Sequence, residues 1–299
     1  IYSSETRLWN EVGVISNSNS KIGLVLGAGS ARGLAHIGVM QVLIENGIPF
    51  DFLVGSSMGA VVAAIYACGG DMYMTGKLAS ALNTSVLWDV GIPRMGFVSG
   101  KRIEHFLRLL TKGKCFEDLD MPLAVVATDI ENGEKIVIRE GPVHTAVRAS
   151  ISIPGVFTPV RYENRLLVDG AVAERLPVGV ARDMGADIII GVDVTFAEDR
   201  QTQIRNTLDV ILQAIEILER QIFTEITRHQ ATVLLQPRLG NIKSNEFGRA
   251  EECILKGREC AEAKLDEIKS VLEAAGRIGG EATPVANDTV TDYNEPSPY

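Results

Sequence analysis

The chain has 299 residues, enough to bury a full core as one large α/β domain or as two small ones. Hydrophobic residues make up 46% and charged residues 22%, the composition of a chain that folds. A net charge of −9 without a dense Lys/Arg block excludes the basic footprint of nucleic-acid binding and a polybasic membrane anchor. The longest strongly apolar stretch, residues 58–68, is too short to span a bilayer, and no charged-then-apolar leader is present. Because it begins at Ile1, the chain would not reveal a targeting segment that had been removed. A cytoplasmic protein is expected, with peripheral membrane contact left open. Cys68, Cys115, Cys253 and Cys260 have neither metal-ligand spacing nor a disulfide pattern, so reduced thiols and no metal site are expected.

Residues 1–19, rich in Ser and Asn, read as a loose segment. Residues 21–26 (KIGLVL) form an apolar run that ends in a glycine-rich turn, and helical spacing follows over residues 34–45 until Asn46, Gly47 and Pro49 stop it. Residues 50–54 are the next strand, 55–59 a tight turn of small residues, and 60–68 an apolar helix closed by Gly69 and Gly70. A helix that is apolar all round belongs inside a layered α/β domain. Residues 87–106, with Trp88, Met95 and Phe97, read as a variable segment over the site or as core packing. Further strands are predicted at 123–128, 135–139, 165–168, 187–194 and 232–236, with helices between most of them, which gives an α/β class with a largely parallel sheet. Apolar residues recurring at three or four from Ile204 to Ile226 predict a long amphipathic helix over 201–228 that packs on the sheet, with a membrane-binding role as the alternative. A last helix is expected at 249–274. Residues 276–299 read as a disordered acidic tail, leaving 20–275 as the domain.

Two loops carry the chemistry. Gly55-Ser56-Ser57-Met58-Gly59 matches Gly-X-Ser-X-Gly between a strand and a helix, the turn that strains a serine backbone and exposes its hydroxyl. The bland reading is a Gly/Ser packing turn; the flanking strand and helix favour the elbow, with Ser57 centred between the glycines. Gly27-Ala28-Gly29-Ser30-Ala31-Arg32-Gly33 lies between the first strand and its helix, where successive N–H groups can converge on an anion. As a dinucleotide fingerprint it is poor, because Arg32 replaces the third glycine and the next strand ends in GSSMG rather than in a ribose-binding acid. As an oxyanion hole it is well placed, since neighbouring parallel strands bring both loops to one sheet edge. Arg32 either holds the loop, meets a phosphate or oxyanion, or caps nearby carbonyls.

A serine nucleophile needs a proton acceptor. His36, His105, His144 and His229 are the available histidines; His229, which the order Ser, acid, His would leave, sits near the end of a long helical repeat rather than in a loop after a strand, and each of the four reads better as a satisfied surface or core histidine. Strand-end acids are Asp129, Asp169 and Asp193; Asp169-Gly170-Ala171 follows the strand 165–168 directly.

The Gly-rich loop ending in Arg-Gly, then GSSMG, then Asp-Gly-Ala, with RASISIPGVFTPV at 148–160, resembles the bacterial patatin-like phospholipases over roughly residues 21–275. The resemblance implies a patatin-like three-layer fold with its largely parallel central sheet flanked by helices. It also implies a Ser-Asp dyad of Ser57 and Asp169 without histidine, an acyl-enzyme and no cofactor. The substrate it implies is a phospholipid, a lysophospholipid or another fatty-acyl ester. Ala28 and Ser30 stand where the family commonly has glycine, and Ala171 is a familiar variant. A regulatory or scaffolding binder on the same fold, or an acyltransferase or thioesterase, are the alternatives. Acyl-chain preference, head group and oligomeric state are not legible.

Overall fold

The structure, a computed structural model, describes residues 20–87, 89, 96–195, 204, 207–222 and 230–279. In chain order the elements begin β1 (Ile22–Leu26), α1 (Ala35–Glu45), β2 (Phe52–Ser56), α2 (Met58–Ala67) and α3 (Met72–Ala81). They continue with β3 (Gly96–Val98), α4 (Lys101–Leu110), β4 (Leu123–Asp129), β5 (Lys135–Ile138), α5 (Val143–Ser150), β6 (Gly155–Phe157), β7 (Val160–Tyr162) and β8 (Arg165–Asp169). The last are α6 (Val178–Asp183), β9 (Ile188–Val192), α7 (Thr207–Ile222), β10 (Val233–Leu235) and α8 (Ala250–Ala274), and short 3-10 turns include Ser30–Leu34 and Gly170–Val172.

β1, β2, β4 and β9 are buried on both faces, and their alternation separates two cores. Ile22, Leu24, Leu26, Leu53, Val125, Ile188 and Ile190 point into a large core shared with α1, α2, α5 and α8. Val25, Val54, Ala124, Val126 and Ile189 point the other way, against Leu176, Val178 and Ala181 around α6. The result is three layers with helices on both faces of the sheet, as the apolar runs imply. α1 is buried from Ala35 to Leu43 because it lies under α8. That crossing is close: a Cβ on Gly38 would overlap the Ile254 carbonyl oxygen.

The sheet has eight strands among the described residues, in the order β10-β9-β1-β2-β4-β8-β7, with β5 also paired to β4. β10, β9, β1, β2 and β4 are parallel; β5 and β8 pair antiparallel with β4, and β7 pairs antiparallel with β8. One detail of register places the site. Val126 pairs with Ser56 of β2 and Val137 of β5, while Ala127 pairs with Ile136 of β5 and Asp169 of β8. β2 and β8 therefore share the edge of β4 opposite β5 and run toward each other, so their carboxyl ends meet at adjacent residues of β4.

Several expectations shift. The strand predicted at 50–54 runs to Ser56, so no loop separates it from the elbow, and the next helix starts at Met58 rather than at residue 60. Of the long helix predicted over 201–228, residues 207–222 are helical, and the predicted ends lie largely outside the described residues. Among the described residues α7 lies against the turn Gly170–Val172 at the end of β8. Trp88, Met95 and His229 also lie outside the described residues. So do 1–19 and 280–299. Within the stretch read as the start of the tail, Arg277 pairs with both carboxylate oxygens of Asp51 at 2.8 and 2.9 Å. All four cysteines are free thiols, and no group of three potential metal ligands occurs among the described residues.

Candidate active site

Ser57 is the pivot between β2 and α2, with φ 52° and ψ −123°, a conformation that a non-glycine residue adopts only when its surroundings fix it. The surroundings are specific. Its N–H donates to Ser150 Oγ at 2.8 Å, and that hydroxyl in turn donates to the Val126 carbonyl at 2.6 Å. Its carbonyl accepts the N–H groups of Ala60 and Val61 at 2.9 and 3.2 Å, which starts α2. Gly59 lets this turn sit against β1: a Cβ there would overlap the Leu26 carbonyl oxygen.

The strained turn aims the side chain at the end of β8, where Ser57 Oγ donates to Asp169 Oδ2 at 2.7 Å. The other carboxylate oxygen, Oδ1, accepts the Ala171 N–H at 2.9 Å, so the Asp-Gly-Ala turn orients the group. Thr128 fixes the backbone beneath it by donating to the Asp169 carbonyl at 2.8 Å while its hydroxyl accepts the Ala173 N–H at 3.1 Å. Asp169 is 4% exposed. Burial pushes its carboxyl up to about 6, against the opposing pull of the Ser57 and Ala171 hydrogen bonds.

The glycine-rich loop lies beside Ser57 and lines the same cavity. Most of its amides are committed: Gly27 donates to the Val192 carbonyl at 3.0 Å, Ala28 to Arg175 at 2.9 Å, Ala31 to Ser244 at 3.0 Å and Arg32 to Gly29 at 3.1 Å. The amides of Gly29 and Ser30 donate to no acceptor among the described residues. Ser30 has φ 51°, the left-handed region in which glycine is most at ease. Arg32 is buried and pairs with Glu216 of α7, both terminal nitrogens reaching Oε1 at 3.2 Å. Its side chain hydrogen-bonds to no carbonyl among the described residues.

The cavity holds about 590 Å³ and is mostly apolar, walled by α2, α3, α4 and α7 through residues such as Ile65, Leu78, Phe106, Leu110 and Ile215. Leu87 and Phe106, in the segment expected over the site, line it; Phe97 is instead exposed. Glu219 also lines it; burial, with a smaller contribution from the negative charge of Asp169, pushes this carboxyl up to about 8.

Among the described residues no histidine bonds to Ser57 or Asp169. His36 is fully buried with Nε2 2.7 Å from the Gly27 carbonyl oxygen, and burial lowers it to about 4, so it is a neutral donor under the loop. Asp129 pairs with Arg165 at 3.6 Å and Asp193 with Arg175 at 3.3 Å. Sequence reasoning singled out neither Thr128 nor Glu216 and Glu219 of α7. Ser150 and Ser152 lay unassigned within the quoted RASISIPGVFTPV. Arg148 of that stretch is buried and donates to Ser152 Oγ at 2.6 Å and to the carbonyls of Gly100, Ser99 and Thr158 at 3.2, 3.0 and 3.1 Å. It ties α5 to the loop before α4.

A serine elbow and a strand-end carboxylate meeting on one sheet edge, beside amides left open at an apolar cavity, define a serine-carboxylate site on a three-layer α/β fold. The profile of the patatin-like phospholipases matches residues 24–182, more than half of the chain. The chain belongs to that family. It is 36% identical over 187 residues to an uncharacterized NTE family protein of Mycobacterium tuberculosis, covering 62% of this chain and 52% of that protein. A patatin-like phospholipase domain-containing protein of Caenorhabditis elegans is 34% identical over 190 residues, 61% of this chain and 14% of its own length. The chain thus spans about half the length of the mycobacterial relative. In structure it is similar to VipD from Legionella pneumophila, with a TM-score of 0.60 at 15% identity over 83% of this chain and 67% of that one.

Proposed function

We propose that this domain is a lipid acyl hydrolase of phospholipase A or lysophospholipase type, with Ser57 as nucleophile and Asp169 as its only base. The observation that carries the proposal is the 2.7 Å hydrogen bond from Ser57 Oγ to Asp169 Oδ2 at a strained elbow beside an apolar cavity. Asp169 takes the Ser57 proton as Oγ attacks the ester carbonyl carbon. The resulting oxyanion is received by the amides of Gly29 and Ser30. Collapse of the tetrahedral species breaks the ester C–O bond, and the alcohol leaves with the proton held by Asp169. Asp169 then deprotonates a water that attacks the acyl-Ser57 carbonyl, which releases the fatty acid and restores the serine. No cofactor is required.

The acyl chain lies in the apolar cavity. Such substrates reside in membranes, and the exposed apolar residues Met74 and Leu78 of α3 and Leu218 of α7 suit peripheral contact with a lipid surface. Among the described residues no helix is long and apolar enough to cross a membrane. The test is labelling by a fluorophosphonate probe together with p-nitrophenyl ester turnover in wild type and Ser57→Ala. Labelling and turnover that vanish together in a folded Ser57→Ala protein support the reading. Turnover that persists would assign the nucleophile elsewhere, and a wild-type protein that neither labels nor hydrolyses esters favours the binding-protein alternative.

A further inference from the structure

α7 reaches the site from outside the stretch matched by the family profile, residues 24–182. Its link to the oxyanion loop is the Arg32–Glu216 pair. Arg32 is 3% exposed, and a buried guanidinium is held only where an anion meets it. Glu216 provides that anion from 184 positions away in sequence, its one oxygen accepting from both terminal nitrogens at 3.2 Å. The Arg32 backbone is in turn closed onto the loop, since its N–H donates to the Gly29 carbonyl at 3.1 Å. On the other side the Ala31 N–H is held by the Ser244 carbonyl at 3.0 Å. Gly29 and Ser30, whose amides stay open, therefore sit in a turn pinned through the very next residues.

We propose that Glu216 is a positioning residue for ester hydrolysis: through Arg32 it holds the Gly29 and Ser30 amides where the oxyanion forms. The inference rests on Ser57 as nucleophile and the glycine-rich loop as oxyanion hole. Removing Glu216 strands the charge of the buried Arg32, so the loop is expected to shift to resolvate Arg32. Because the amides act on charge that develops only after attack, the loss falls on kcat and leaves KM nearly unchanged.

The experiment is a double-variant cycle on p-nitrophenyl butyrate hydrolysis by the full chain, with Glu216→Gln, Arg32→Gln, the double variant and Ser57→Ala, each checked for folding by circular dichroism. Glu216→Gln is expected to lower kcat by about 10-fold or more, with KM within about 2-fold of wild type. In the double variant kcat should fall no further than in the slower single one, because Glu216 acts through Arg32. Wild-type kcat in Glu216→Gln, a loss confined to KM, or losses that multiply in the double variant would each overturn the inference. If Glu216→Gln is recovered unfolded, Glu216→Asp makes the same comparison: lowered kcat at unchanged KM supports the inference and wild-type kcat overturns it. Ser57→Ala separates the two levels. An inactive Ser57→Ala beside a fully active Glu216→Gln refutes the role of Glu216 alone, whereas an active Ser57→Ala refutes the nucleophile and this inference with it.

Discussion

Asp169→Asn should inactivate the protein and at the same time stabilise it at neutral pH. The carboxyl is raised from 3.8 to about 6 by burial. A carboxyl raised in the folded state adds no penalty below the unfolded value, begins to cost stability as pH rises past about 4, and costs the full amount above about 6. At about 1.4 kcal/mol per pH unit, ionising Asp169 in the folded protein costs about 3 kcal/mol at pH 7.5. Asn removes that charge yet fits the site: its carbonyl oxygen can accept the Ala171 N–H, and its amide can donate to Ser57 Oγ. The amide cannot take a proton, so kcat should fall by about 1000-fold or more. The assay is urea unfolding of wild type and Asp169→Asn at pH 7.5 and pH 4. The variant should gain up to about 3 kcal/mol at pH 7.5, with most of the gain gone at pH 4. A gain of equal size at both pH values, or destabilisation at pH 7.5, would refute the argument that a buried ionised carboxylate is the cost.

Other consequences are as direct. The value of kcat/KM should rise with pH through about 6, because Asp169 must be ionised to accept the Ser57 proton, and a pH-rate profile on a short-chain ester reads this directly. Gly29→Ala places a Cβ against the buried Val194 side chain and should lower kcat by about 10-fold or more with little change in KM, measured by steady-state kinetics. Single Gln substitutions of His36, His105, His144 and His229 should each keep most of kcat; collapse of kcat in a folded variant would replace the dyad by a triad.

The parts of this molecule legible in its sequence are those whose signal is local. β1 with its loop and α1, and β2 with the elbow and α2, are announced by apolar runs punctuated by glycine, and they occur within two residues of where those runs place them. The three-residue strands β3, β6 and β7 carry too few positions for alternation to register. Strand direction is also non-local: nothing within residues 165–169 says that β8 runs antiparallel against β4, yet that pairing brings Asp169 to Ser57. The 201–228 periodicity correctly indicates a helix, but periodicity reports one apolar face without its partner, and here Ile215 of that helix lines the cavity. Glu216 and Glu219 read as ordinary polar-face residues in sequence. Only the fold sets one against Arg32 and the other close enough to feel the charge of Asp169.

A serine served by a carboxylate alone needs that carboxylate to lie between two limits. With the ordinary value of 3.8 it is ionised at neutral pH but a weak base, and burial without opposing hydrogen bonds would push it further up toward holding its proton. Asp169 sits between them because two hydrogen bonds, from Ser57 and Ala171, oppose part of the cost of burial. Its value of about 6 is close to the 6.5 of an unperturbed imidazole, the group that usually occupies this place. The same head-to-head meeting of β2 and β8 buries the carboxyl, supplies the Ser57 hydroxyl that tempers it and forces the strained turn at φ 52°. Such strain costs about 1–3 kcal/mol, offset here by the Ser150 hydroxyl and the first turn of α2. On this reading the missing histidine is replaced by topology: two strand ends on one edge of β4 position the carboxyl and set its basicity together.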